Sequence, residues 1–290
     1  MKCAFLASAL LGLTCSGLLA AEEIVAVVGS QARPYQETLE AFQGAVGQPV
    51  KVINLSETSA HIPRTTRLIV AIGGKAALES YPKDVPLLYC LAPGILVPSN
   101  GRKAPTAKIY MTPKWPLVMS ALKDIQPGLR TLGIVTLPES QNEFNSDLEK
   151  VGESFKIKVI VDKLDSSDDL PDHLRRLGPL VNALWIPPDP LVITANNYRL
   201  IKAFCQANHM PLYVPTVELV ESGVVAGVAP SFKQVGEAAG QTAKKMLEGT
   251  LAYEKIFPES AVVAVNLPTA EACGLRMTEA QLKKIDRLIP

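Results

Sequence analysis

Short apolar runs alternate along this chain with longer stretches in which apolar side chains recur every three or four positions. The runs read as buried strands and the stretches as amphipathic helices. Ile24 to Val28 is the first strand, ending at Gly29-Ser30, and Leu39, Phe42 and Val46 mark one face of a helix opened by Pro34. Val50 to Leu55 alternates as a second strand. Arg67 to Ile72 is a third, running into Gly73-Gly74-Lys75 and a helix that reaches Tyr81, and Pro86 to Leu91 is a fourth. Strand and helix in strict alternation call for a parallel sheet with right-handed crossovers.

Ala92 to Lys108 is rich in Pro, Gly, Ser and Asn and reads as a surface loop. Lys108 to Met111 reads as one more strand. Thr112-Pro113 opens a helix, with Thr as cap, that stops near Ile125 before Pro127-Gly128. The grammar then repeats. Strands are expected at Thr131–Thr136, Lys158–Leu164, Ala183–Ile186, Met210–Val214 and Val224–Ala229, with helices at Ser140–Phe155, Ser167–Leu177, Leu191–Asn208 and Thr216–Glu221. Phe232 to Gly249 is an amphipathic helix rich in small residues, read as capping the first array; Val262–Asn266 is a late strand and Thr278–Leu288 a final helix.

The expected fold class is therefore α/β, with two doubly wound parallel-sheet lobes joined by hinge strands. The expected division is a leader over 1–21, a first lobe over 22–111 that receives 230–257, and a second lobe over 112–229 that receives 258–290. A length of 290 residues fits two cores better than one.

Composition narrows the function classes. Hydrophobic residues make up 48% of the chain and charged residues 20%, which fits a globular protein. Lys2, the apolar run Ala4 to Leu19, and Ala20-Ala21 before Glu22-Glu23 read as a signal peptide cleaved after Ala20 or Ala21, which makes the protein periplasmic or otherwise exported. A retained anchor is the competing reading, and a lipid anchor at Cys15 fits poorly with Thr14 and Gly12 before it. The 29 basic residues include Lys2 and face 28 acidic ones, so the mature chain is near neutral and lacks the basic footprint of a nucleic-acid binder. Cys90, Cys205 and Cys273 make neither a disulfide framework nor a metal knuckle; they read as buried apolar side chains, with a single bridge between Cys205 and Cys273 as the alternative.

Nothing in the sequence points to catalysis. His61, His173 and His209 lie in polar or helix-end surroundings, where a solvated side chain is the default, and no nucleophile elbow, HExxH pair or Cys-His cluster is present. Asp168-Asp169 suits a helix start. Gly73-Gly74-Lys75 matches neither nucleotide-binding loop pattern. No enzyme, cofactor or metal is expected.

Candidate ligand contacts come from the strand ends, where open α/β sheets bind. Leu184-Trp185-Ile186-Pro187-Pro188-Asp189-Pro190 ends a strand abruptly, because prolines cannot continue the ladder, and leaves Asp189 just beyond it. Asp189 reads either as a cleft contact or as the cap of the next helix. At Gly74 and Lys75 a glycine-rich helix start and a positive charge suit an anion, although plain turn chemistry explains them equally. Tyr35 and Tyr110 are candidate aromatic walls, and Trp185 reads as core.

The mature chain resembles the family of ABC-transporter substrate-binding proteins with the type I periplasmic binding fold, whose members include tryptophan- and tyrosine-uptake lipoproteins. The resemblance rests on Leu132-Gly133-Ile134-Val135 followed by Pro138-Glu139-Ser140-Gln141-Asn142, on Ala183 to Asp189, on Met210-Pro211-Leu212-Tyr213, on the helix Val235 to Gly249, and on Val265-Asn266-Leu267-Pro268-Thr269-Ala270. It covers about Tyr110 to Leu275. It implies ligand contacts at Ser140, Asn142 and Asp189, with Glu218 and Ser231 added. It further implies a small amino-acid-like solute, a membrane permease as partner, and a monomer. An envelope sensor such as a sensor kinase is the alternative partner. Two first-lobe turns depart from the family: Leu91-Ala92-Pro93-Gly94 stands where a Thr/Ser-Asp-Pro turn is usual, and Gly73-Gly74-Lys75 where a Thr or Ser usually helps hold the ligand.

Overall fold

The computed structural model describes residues 23–98, 101–136, 147–188, 192–251 and 255–290. The first half contains β1 (Glu23–Val28), α1 (Arg33–Val46), β2 (Val50–Asn54), β3 (Thr66–Ile72), α2 (Gly74–Ala77), β4 (Leu87–Cys90) and β5 (Thr106–Ile109). There follow α3 (Trp115–Ile125), β6 (Thr131–Thr136), α4 (Asp147–Ser154), β7 (Lys158–Lys163), α5 (Leu170–Leu177), β8 (Ala183–Trp185), α6 (Ala195–Ala207), β9 (Leu212–Val214), α7 (Val217–Val220) and β10 (Ala226–Ala229). The chain ends with α8 (Phe232–Leu247), β11 (Lys255–Ile256), β12 (Val262–Asn266), α9 (Leu267–Ala272), α10 (Glu279–Leu282) and β13 (Arg287–Ile289).

These strands form two sheets. The first has the order β11-β5-β4-β3-β1-β2, with every pairing parallel. The second has the order β13-β12-β10-β9-β8-β6-β7 and is parallel except where β12 runs against β10. Each sheet is covered on two faces, which is why strands such as Leu68 to Ile72 are apolar at every position and fully buried. On the first sheet, Val25, Val27, Ile69 and Ala71 share one face, and Ile24, Val28, Leu68, Val70 and Ile72 share the other.

The small residues of α8 serve close helix packing. A Cβ on Gly236 would sit 2.3 Å from the Thr38 carbonyl oxygen, and one on Gly240 would sit 2.5 Å from the Ala45 Cβ. With no side chain there, α8 lies directly against α1, and the buried Thr38 hydroxyl donates to the Phe232 carbonyl at 3.1 Å.

The topology makes the chain cross between sheets at 110–114, at 230–231 and at 257–261. Two of these crossovers are tied together: β11 pairs with β5, the Tyr110 N–H donates to the Ile256 carbonyl at 2.8 Å, and the Tyr110 and Phe257 rings stack.

Several elements differ from the sequence expectation. The helix expected to start at Thr112 begins at Trp115, with Lys114 as the flanking residue and Pro116 in its first turn. A Pro there loses no hydrogen bond, because first-turn N–H groups have no helical partner. The helix expected from Gly74 to Tyr81 is a single turn, and the strand expected at Lys108–Met111 lies at Thr106–Ile109. The final helix is also one turn, capped by Thr278, after which the chain becomes an edge strand. The Asp286 N–H donates to the Val263 carbonyl, and the Asp286 carboxylate accepts from the Val263 N–H at 2.8 Å, so pairing with β12 displaces further helix. The turn α9 and the short strand β11 were not anticipated. His173 is not solvated as expected: its Nδ1 lies 2.9 Å from the Asp162 carboxylate, and its side chain is largely buried. No helix among the described residues is long and apolar enough to cross a membrane. The expected leader lies outside those residues.

Candidate functional site

Loops leaving the carboxyl ends of the strands carry the candidate residues. On the first sheet, β1 leads into the opening turn of α1 with Arg33, Pro34 and Tyr35. The neighbouring β3 ends at Gly73, whose φ of +105° is open to glycine but strained for other residues. The Tyr35 ring occupies the space where a side chain at Gly73 would be, with its Cε1 2.3 Å from an ideal Cβ position. Tyr35 and the glycine turn therefore form one half-buried unit.

Gly74 is closed from the other side, because a Cβ there would lie 2.9 Å from Ile95 Cδ1. Ile95 belongs to the stretch expected to be a surface loop. In the structure this stretch folds back: Ile95 and Val97 pack on the first sheet, and the Val97 N–H donates to the Tyr89 hydroxyl at 3.3 Å. The Lys75 ammonium donates to the Leu55 carbonyl at 2.9 Å, at the end of β2. As α2 is four residues long, it gathers little of the dipole that a full helix would offer an anion.

A cation missed by sequence reading lies under this loop. Lys108 on β5 is only 4% exposed; its ammonium donates to the Ile95 carbonyl at 2.9 Å and lies 4.7 Å from the centroid of the Tyr110 ring and 6.0 Å from that of Tyr89. Carbonyl and aromatic faces offset part of the cost of removing the charge from water. The signal was present in the sequence as a lysine one residue inside an apolar strand, but it resembled a loop boundary.

On the second sheet, β6 and β8 are neighbours, so the chain enters 137–146 and 189–191 from adjacent strand ends. Ser140, Asn142 and Asp189 lie outside the described residues. One alternative for Asp189 is narrowed nonetheless, because α6 begins at Ala195 and its cap is Thr194, whose hydroxyl accepts from the Asn197 N–H at 3.2 Å. Trp185 is core, as expected, and meets Trp115 edge to face with centroids 5.2 Å apart.

Glu218 is exposed on the first turn of α7. The Arg33 guanidinium on the first sheet's side is held above its ordinary pKa chiefly by its hydrogen bond to Glu37, at 2.6 Å, with Glu218 adding a smaller attraction. Ser231 caps α8, its hydroxyl accepting from the Gln234 N–H while the Gln234 side chain accepts from the Ser231 N–H. This reciprocal capping box occupies the acceptor side of the hydroxyl and leaves its O–H as a donor.

Beside the crossovers lies a groove of about 420 Å³ with a mixed polar and apolar lining, to which Gln234, Glu237, Gln241, Lys245, Ile256 and Phe257 contribute. None of the candidate residues at the strand ends lines it. No group of three or more His, Cys, Asp or Glu among the described residues is arranged to hold a metal ion.

The model of the family described as ABC transporter substrate binding protein matches residues 114–288, well over half of the chain. Solved structures share the architecture over nearly its whole length. A domain from Streptococcus pneumonia solved in complex with L-Trp is 17% identical, with a TM-score of 0.62, covering 92% of this chain and 100% of its own. A conserved domain protein from Vibrio cholerae is 14% identical, with a TM-score of 0.63 and coverage of 92% and 99%. The ligand-free, open form of a substrate binding protein with adhesive properties from Clostridium difficile is 16% identical, with a TM-score of 0.61 and the same coverage. At these identities the likeness is one of fold. Comparison with curated proteins gives no match. The parallel sheets, the crossovers and the family match lead to one conclusion: the chain belongs to the ABC transporter substrate binding protein family and has the type I periplasmic binding fold.

Proposed function

We propose that the protein is exported, captures a small amino-acid-like solute in a cleft between its lobes, and presents the closed form to the permease of an ABC-type uptake system. The lobes in this reading are residues 22–111 with 230–257 and residues 112–229 with 258–290. Supporting the reading is the match of residues 114–288 to the ABC transporter substrate binding protein family, together with candidate residues that follow the carboxyl ends of strands in both sheets. Ligand bridging these ends shifts an open-closed equilibrium through the crossovers.

In this proposal Asp189 holds the ammonium group of the solute, Ser140 and Asn142 supply further hydrogen bonds, and Tyr35, Gly74, Lys75, Glu218 and Ser231 line the remaining wall. A carboxylate in a closed, poorly solvated cleft makes a strong charge-assisted bond. A relative of this fold holds L-Trp, so amino acids are the first class to test. The mature chain acts as a monomer after loss of residues 1–21.

The test is thermal denaturation of the purified mature chain against a panel of amino acids, followed by calorimetry. The expected outcome is one solute binding with 1:1 stoichiometry and stabilising by about 2.7 kcal/mol at a hundredfold excess over its Kd, with Asp189→Ala losing most of that affinity. If a broad solute panel stabilises nothing and Asp189→Ala changes nothing, the uptake reading is abandoned.

One observation favours a second reading, an interaction module docking on an envelope receptor such as a sensor kinase. The first-lobe edge is filled by its own side chains, Tyr35 against Gly73 and Ile95 against Gly74. That reading gains if the protein binds no solute but copurifies with a sensor kinase in place of a permease.

A further inference from the structure

Cys205 lies on the buried face of α6, near its last turn, and Cys273 is the residue that closes α9. Though remote in sequence, they line one cavity of about 10 Å³ together with Met210, Leu212, Val225 and Thr269. A space of that size is at the lower limit for one water, and a water there needs polar partners that these largely apolar walls do not provide. The segments bearing the two cysteines are already tied. His209 Nδ1 lies 3.1 Å from the carbonyl oxygen of Ala272, next to Cys273, and the Met210 N–H donates to the Cys205 carbonyl at 2.9 Å. Both thiols are free, one buried and the other half-buried. Burial first, and the neighbouring Cys273 second, push the Cys205 thiol up to about 12, and burial raises Cys273 as well.

We infer that Cys205 and Cys273 join in a reversible disulfide across this cavity, fastening α9 to the end of α6. The third cysteine, Cys90, is fully buried in β4 of the other sheet. The bond lies where α6 ends and β9 begins, at the opposite edge of the second sheet from the candidate ligand loops. It is therefore independent of the proposed uptake role.

Closure needs an oxidant of the disulfide class, for which oxidised glutathione serves. The more exposed Cys273, as thiolate, attacks one sulfur of the oxidant; the oxidant's S–S bond breaks, one glutathione thiolate leaves, and a mixed disulfide forms on Cys273. The Cys205 thiolate then attacks the Cys273 sulfur and expels the second glutathione. Two protons leave the cysteines and two electrons reduce the oxidant to two thiols. Because both thiols are held in the neutral form, closure is slow at neutral pH and quickens as pH rises.

The full chain is equilibrated at pH 8 with stepped ratios of reduced to oxidised glutathione, trapped with N-ethylmaleimide, and mapped by mass spectrometry without reduction. The expected result is a linked peptide pair containing Cys205 and Cys273, rising with the oxidised fraction and absent from Cys273→Ser, while Cys90 is trapped only after denaturation. Cys273→Ser changes a half-buried position by one atom, so folding is retained. The inference is overturned if Cys273 carries glutathione or N-ethylmaleimide at every ratio while Cys205 stays unlinked, or if either residue pairs with Cys90.

Discussion

The rings of Tyr110 and Phe257 stack with centroids 4.5 Å apart and planes 17° from parallel, joining the two segments by which the chain leaves the first sheet. With the hydrogen bond from the Tyr110 N–H to Ile256, the stack makes two crossovers into one strap. Bending between the sheets then has to move both segments together. Phe257→Leu keeps apolar bulk and loses the aromatic pairing, so urea denaturation is expected to show a loss of about 1 kcal/mol. A double-mutant cycle with Tyr110→Leu is expected to give a coupling of about 0.5–1.5 kcal/mol. Additive effects would mean that the two segments are not energetically joined.

Gly73 carries two separable demands, a φ of +105° and the Tyr35 ring in its side-chain space. Gly73→Ala is expected to cost roughly 2–4 kcal/mol, from backbone strain and from the clash. Adding Tyr35→Ala relieves the clash alone. Denaturant titrations of the single and double variants should therefore show partial recovery in the background of Tyr35→Ala, and full recovery would mean that the backbone term is negligible.

Thr194, as the cap of α6, separates the two roles open to Asp189. Thr194→Ala is expected to cost about 1 kcal/mol of stability without ligand, whereas Asp189→Ala leaves the ligand-free midpoint within about 0.5 kcal/mol. The reverse order in chemical denaturation would make Asp189 a cap.

Alkaline pH should weaken the fold. Burial pushes the Cys90 thiol from 9.0 up to about 12, and likewise raises the phenols of Tyr81 and Tyr213 above their ordinary 10.0. Each of these groups is neutral in the folded protein at a pH where the unfolded chain has begun to ionise. The stability they contribute is complete below pH 9 and is lost as pH rises through the folded values. Each group steepens the decline by up to about 1.4 kcal/mol per pH unit. Urea midpoints between pH 8 and 11 are expected to fall, and to fall less steeply in Cys90→Ala; equal slopes would remove Cys90 from the account.

The repeating strand and helix were legible because each strand is covered on two faces and each helix on one, so apolar runs and apolar stripes carry the distinction locally. Leu68 to Ile72 and the face Leu39, Phe42 and Val46 are instances where pattern and structure agree. At Gly74 and Thr278 the local signals start a helix correctly, but its length depends on what competes for the following residues, and both helices are single turns. The open edge of β12 decided that contest at Arg287–Ile289.

The chain's order of residues thus determined the α/β class, the succession of elements, the helix starts at Phe232 and Thr278, and the strand ends that carry the candidate residues. Only the tertiary structure decided what those ends face. It set the Tyr35 ring on Gly73, turned Lys75 toward Leu55, folded Ile95 over Gly74 and brought Lys108 beneath the loop. It likewise placed Cys205 and Cys273 on one cavity and Tyr110 against Phe257. The physical reason is range: backbone preference and burial periodicity act over a few residues, whereas these contacts join segments whose proximity exists only once the sheet between them has formed.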